Sequence, residues 1–156
     1  MIISFTGTQK GMTPFQKDKL YESLQSCSEI IHGDCIGADA EANEIAIKAG
    51  VKIFSIYPSC FNAKRAFSFN LRSGPYGEWI TVGDLKVRIF PPKMPLERNA
   101  DIIRQGDKLI ACPRQFKHTL RSGTWATIRI GWRLKKPVSI IPPIVREDSD
   151  GNQSET

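Results

Sequence analysis

The stretch EIIHGDCIGADAEANEIAIKAGVKIFSIYP, residues 29–58, changes its hydrophobic rhythm twice. EIIHG over 29–33 is a short apolar run stopped by glycine, the pattern of a strand. GADAEANEIAIKAG over 37–50 sets Ala38, Ala42, Ile45, Ala46 and Ala49 on one helical face, and Gly50 stands where such a helix ends. VKIFSIYP over 51–58 is a strand again, apolar enough to be buried on both faces. Strand, helix and strand in succession predict a parallel pair joined by a crossover.

The same rhythm extends in both directions. IISFTG, 2–7, reads as a first strand. Thr13-Pro14 reads as an N-cap with proline at the first helical position, opening a helix over about 14–27 with Phe15, Leu20 and Leu24 on its apolar face. Downstream, PLERNADIIRQG (95–106) reads as a helix, DKLIACP (107–113) as a strand, SGTWATIRIGWRLKK (122–136) as a helix and PVSIIPP (137–143) as a last strand. Residues 59–93 break the pattern as an insert, with a β-hairpin near 75–91 turned at Gly83-Asp84. The chain is therefore expected to be one α/β domain over 1–145, a mainly parallel sheet of about five strands with helices on both faces. The polar tail, 146–156, is expected to be disordered.

The 156 residues carry 22 basic and 16 acidic side chains. REDSDGNQSET at 146–156 holds four of the acids and one arginine, which leaves the body with a net charge of +9. A basic body suits an anionic ligand. No apolar run approaches the roughly 18 residues that span a bilayer. The N-terminal apolar run lacks a basic leader, so a cytoplasmic protein with no membrane partner is expected. Cys27, Cys35, Cys60 and Cys112 show no C-x-x-C spacing and match no zinc pattern, so free thiols, no metal and no cofactor are expected.

In a parallel sheet the ligand site lies beyond the carboxyl ends of the strands. That rule gathers Gly7-Thr8-Gln9, the loop His32–Asp39, the Pro58 turn and the 113–124 loop onto one edge. Gly7 allows a tight turn that can bare backbone amides to an anion. In HGDCIGAD, Gly33, Asp34, Cys35, Gly37 and Ala38 run into a helix N-terminus, where an anion gains about 0.3–1 kcal/mol. Asp39 in its first turn can cap the helix or accept a ribose hydroxyl. His32 closes the strand, as a structural histidine first and an acid or base second. Arg98 and Asn99 open the helix after the insert, and an arginine there can clamp a phosphate. Ser122, Gly123 and Thr124 offer hydroxyls and amides at a helix start, without P-loop spacing. Trp125, Ile128 and Trp132 form a stripe for the core or a dimer face.

Taken as an ordered set, these motifs resemble the SLOG superfamily, which joins the Lonely Guy phosphoribohydrolases, the DNA-processing protein A fold and YpsA-related proteins. HGDCIGAD is the most specific part, and the resemblance covers about 1–143 without most of 59–93. It implies a Rossmann-like fold that binds a nucleotide or nucleotide derivative. In the Lonely Guy enzymes an arginine and a glutamate act on an N-glycosidic bond. Arg98 in PLERN matches the arginine's position. Gly123 and Thr124 match the Gly-Thr of P-G-G-x-G-T-x-x-E, Ser122 replaces a glycine, and Thr127 replaces the glutamate. Glycosidic cleavage builds positive charge that a carboxylate stabilises and threonine does not. Arg98 and Asp39 remain the candidate catalytic residues.

The insert's Phe61, Phe67, Phe69, Tyr76, Trp79 and Phe90 accompany six basic residues. Three readings stand for it: a lid over a nucleotide, a dimerisation arm, or a nucleic-acid surface. The leading expectation is a binder of a nucleotide-derived molecule, a sensor or sequestering protein. The alternatives are a Lonely Guy-like hydrolase and a single-stranded DNA binder. The resemblance, with Trp125 and Trp132, implies a homodimer.

Overall fold

The computed structural model describes residues 1–71 and 74–144; the tail 146–156, expected to be disordered, lies outside them. The chain forms β1 (Ile2–Gly7), α1 (Pro14–Ser23), β2 (Glu29–His32), α2 (Ala38–Lys48), β3 (Ile53–Ile56), β4 (Trp79–Val82), β5 (Leu85–Ile89), α3 (Pro95–Gln105), β6 (Lys108–Cys112), α4 (Gly123–Arg133) and β7 (Val138–Ile140). The strands make one seven-stranded sheet in the order β4-β5-β3-β2-β1-β6-β7. Every pairing is parallel except β4 with β5. The expected Rossmann-like α/β fold is present.

The difference in strand count comes from the hairpin. It turns at Gly83-Asp84 as expected, but it is no separate insert. β5 pairs in parallel with β3, Ile53 opposite Lys86 and Ile56 opposite Ile89, and β4 closes the edge. The reason is hydrophobic: Leu85, Val87 and Ile89 alternate inward and are buried in the main core. From the insert, Ser59, Phe61 and Lys64, the last in the 3₁₀ turn Asn62–Lys64, line the ligand edge.

Handedness fixes the layers. β1, β2 and β3 follow one another across the sheet, so right-handed crossovers put α1 and α2 on one face. The chain then returns past β1 to β6 and β7, which puts α3 and α4 on the other. Ala38, Ala42 and Ala46 of α2 are fully buried, and their small side chains let the helix lie close to β1. α1 opens with a complete capping box, Thr13 and Gln16 each bonding the other's amide; it ends four residues before the expected position. On the opposite face Trp125 is 1% exposed, packed with Ala111 and Ile128. This corrects the dimer argument: Trp125 is core, and only Trp132 offers surface, at 50% exposure.

Candidate functional site

The order in which the chain adds strands reverses at β1, between β2 and β6, and the loops part there into a cavity of about 520 Å³. Its walls include the β1 loop (Gly7, Thr8, Gln9), Gly33, Cys35 and Asp39 after β2, Arg98 and Asn99 at the start of α3, and Ser122, Gly123 and Thr124 at the start of α4. Eleven of the expected ligand residues thus meet at one place. Asp34, Gly37, Ala38 and Pro58 do not line it, and each has a structural reason.

Asp34 sits at a φ of 56° and is 1% exposed. Its carboxylate accepts from the amides of Phe67 and Ser68 and from the Ser68 hydroxyl, and it faces Arg65 at 3.5 Å. It clips the 65–68 segment to the β2–α2 loop and has no capacity left for a ligand. Gly37 has a φ of 86°, and a side chain there would overlap the Gln9 carbonyl. Ala38 gives its amide to the Thr8 carbonyl at 3.0 Å. The α2 N-terminus is therefore docked on the β1 loop and is not open as a phosphate cradle. Pro58 is buried, and its carbonyl accepts from the Lys93 amide.

The α4 N-terminus is different. Ser122 is the N-cap, its Oγ accepting from the Trp125 amide at 3.2 Å. The amides of Gly123 and Thr124 have no intrahelical acceptor and stand at the cavity wall. A Cβ at Gly123 would meet nothing within 4 Å, so the space beside it belongs to the cavity. Thr127 lines the cavity but donates its hydroxyl to the Gly123 carbonyl at 3.0 Å.

Arg98 is not a surface arginine. It is 9% exposed. Nη1 donates to Gly33 O at 2.9 Å and Tyr57 O at 3.4 Å, and Nη2 to Cys35 Sγ at 3.3 Å. Nε has no partner among the described residues. Asp39 is buried at the same floor, with Oδ2 accepting the Cys35 amide at 3.1 Å. Burial pushes its carboxyl above the usual carboxylate range, against the opposing pull of Arg98 and the Cys35 amide. His32 is structural, as expected: Nδ1 accepts the Asp34 amide, which leaves the proton on Nε2 for Asn43 Oδ1 at 2.8 Å. Cys35 and Cys112 are buried, and burial pushes both thiols up. Among the described residues no group of three His, Cys, Asp or Glu is placed to hold a metal, and no helix is long and apolar enough to cross a membrane.

Sequence reasoning did not single out Lys10, Lys64, Arg114 and Gln115, which also line the cavity. Lys10, Lys64 and Arg114 are exposed, and none forms an ion pair with another described residue. Their signal was position: Lys10 directly follows the flagged Gly7-Thr8-Gln9 turn, and Arg114 and Gln115 lie within the flagged 113–124 loop. Lys64 needed the tertiary fold. Four cations therefore face one carboxyl that burial disfavours as an anion.

No family model matches the chain, and no curated protein sequence matches it. Among solved structures, the molybdenum cofactor binding protein from the phototrophic bacterium Rippkaea orientalis has a similar fold. The TM-score is 0.61 at 18% identity, over 90% of this chain and 76% of that chain. The likeness establishes a shared fold.

Proposed function

We propose that this protein, as a member of the SLOG superfamily, binds a nucleotide or nucleotide-derived small molecule at the carboxyl edge of its sheet, as a sensor or sequestering protein. The observation that carries the reading is the charge of the cavity: Lys10, Lys64, Arg98 and Arg114 surround a single carboxyl, Asp39. Phosphate is the group that cations and the free first-turn amides of α4 together satisfy. Thr127, whose hydroxyl is committed to its own helix and carries no charge, supports a non-catalytic or weakly catalytic binder.

The test is titration with a nucleotide panel, with mass spectrometry of the retained and filtrate fractions. Intact nucleotide on the protein, lost in Arg98→Lys, is the expected result. Lysine cannot reproduce three bonds from one planar fork. Lack of binding by every nucleotide sinks the reading. Free base in the filtrate supports the second reading, a hydrolase, which the position of Asp39 in the cavity favours as a general acid. The neighbour is a molybdenum cofactor binding protein, so that cofactor belongs in the same panel. The protein pairs with a second copy across α3 and α4, where Leu96 and Trp132 are exposed; a monomer by light scattering contradicts this.

A further inference from the structure

We propose that the ligand carries anionic groups at two separate positions, as a nucleotide phosphorylated on both sides of its ribose does. This deepens the nucleotide reading and rests on it. The cavity's cations are not gathered at one point. Arg98 reaches the Gly33 carbonyl just beyond β2, and the Lys64 carbonyl accepts the Ile36 amide at 3.0 Å. The Arg98 guanidinium and the backbone that carries Lys64 are thus both anchored to the loop after β2, and both residues line the cavity. Arg114 follows β6 by two residues, and the loop that carries it ends in the open first turn of α4.

β2 and β6 flank β1 on opposite sides. The two walls therefore stand two strand spacings apart, roughly 10 Å. Between them lie Phe5, Thr6, Gly7 and Thr8 of β1 and its loop with Ile102 of α3, and the exposed Lys10 follows that loop. An uncharged middle that offers threonine hydroxyls beside apolar side chains suits a sugar; cationic ends suit phosphates. A contiguous pyrophosphate on one wall would leave the cations of the other facing water alone. A ligand with separated phosphates engages both walls while its sugar covers the middle.

Calorimetry with three probes tests this: AMP, ADP, and adenosine carrying one phosphate on each of its 5′ and 3′ hydroxyls. The last two have the same number of phosphates in different places. The expected result is that the separated bisphosphate binds at least about tenfold more tightly than ADP, the scale of one charge-assisted contact. Lys64→Ala should erase most of that advantage, lowering bisphosphate affinity by at least about fivefold more than ADP affinity. Lys64 is exposed, so the variant keeps the fold; a matching melting curve verifies it. ADP binding as tightly as the bisphosphate overturns the proposal while leaving nucleotide binding intact. An unaltered bisphosphate advantage in Lys64→Ala also overturns it. Absence of binding by all three probes removes the underlying reading as well.

Discussion

Asp39 and Arg98 lie side by side in the floor of the cavity, yet burial treats them differently. Arginine stays charged in any protein setting, whereas the Asp39 carboxyl is pushed up by desolvation. A carboxyl whose folded value is raised holds protons more tightly in the folded state. Its contribution to stability is fully present below the ordinary carboxylate range, near 4, and is lost as pH rises through the raised value. Asp39→Asn removes that loss. The variant should exceed the parent in stability at neutral pH, by about 1.4 kcal/mol for each unit of elevation, and match it in acid. Urea unfolding at both pH values measures this. A parent that is the more stable at neutral pH would show Asp39 ionised there and paired with Arg98. Asp34 makes the opposite case. It is fully engaged with donors and faces the buried Arg65. Asp34→Ala should cost about 3–5 kcal/mol, the penalty of leaving one partner of a buried pair alone. It should also open 65–68 to protease. A loss under 1 kcal/mol in urea titration would mean that the clip does not hold the segment.

At the scale of elements, the two helix starts that the sequence marked as similar do different things. α2 gives its first amide to Thr8 and has Gly37 tucked under Gln9. It is a structural joint between the β1 loop and the second crossover. α4 keeps its first turn open and is capped by Ser122. The cap and the ligand can be separated by substitution. Ser122→Ala removes the cap and should cost about 1 kcal/mol in thermal unfolding. Ser122→Asp retains a cap and favours the helix dipole, but sets a negative charge beside the cavity. It should keep parental stability and weaken phosphate binding about tenfold or more. Equal affinity of Ser122→Asp and parent would mean that phosphate does not approach α4.

Across the whole molecule, the hairpin shows how burial overrides a local reading. The aromatic and basic content of 61–93 suggested a lid, an arm or a nucleic-acid surface. Instead β5 completes the sheet, with Val87 fully buried and Ile89 3% exposed. Arg88 lies 4.2 Å from the Trp79 ring and 4.6 Å from that of Phe90, and Phe90 stacks on Tyr57 at 4.1 Å. Several of the aromatics counted as ligand groups thus pack against their own sheet. Ile89→Ala should cost about 2–5 kcal/mol in chemical unfolding, the range for a buried aliphatic truncation. A negligible cost would return the hairpin to the status of a removable lid.

The crossovers, the order of elements and the edge at which the loops gather were legible in the chain itself. Hydrophobic period and turn residues are local signals, and the handedness of crossovers converts them into layers with little freedom left. Gly7, Gly33, Cys35, Asp39, Arg98, Asn99 and Ser122–Thr124 reached one cavity for that reason. Which glycines serve a ligand and which serve packing was not legible. Gly37 and Gly123 both precede or open a helix and differ in backbone conformation and in what stands beside them, neither of which is a local sequence signal. Nor were the roles of Lys64 and Asp34, or the joining of β5 and β4 to the sheet, legible. Lys64 reaches the cavity because Asp34 draws 65–68 back across the loop after β2, and β5 joins β3 because its alternate side chains leave water on only one of several surfaces that could cover them. Those are contacts between residues far apart in the chain, and only the tertiary structure decides among them.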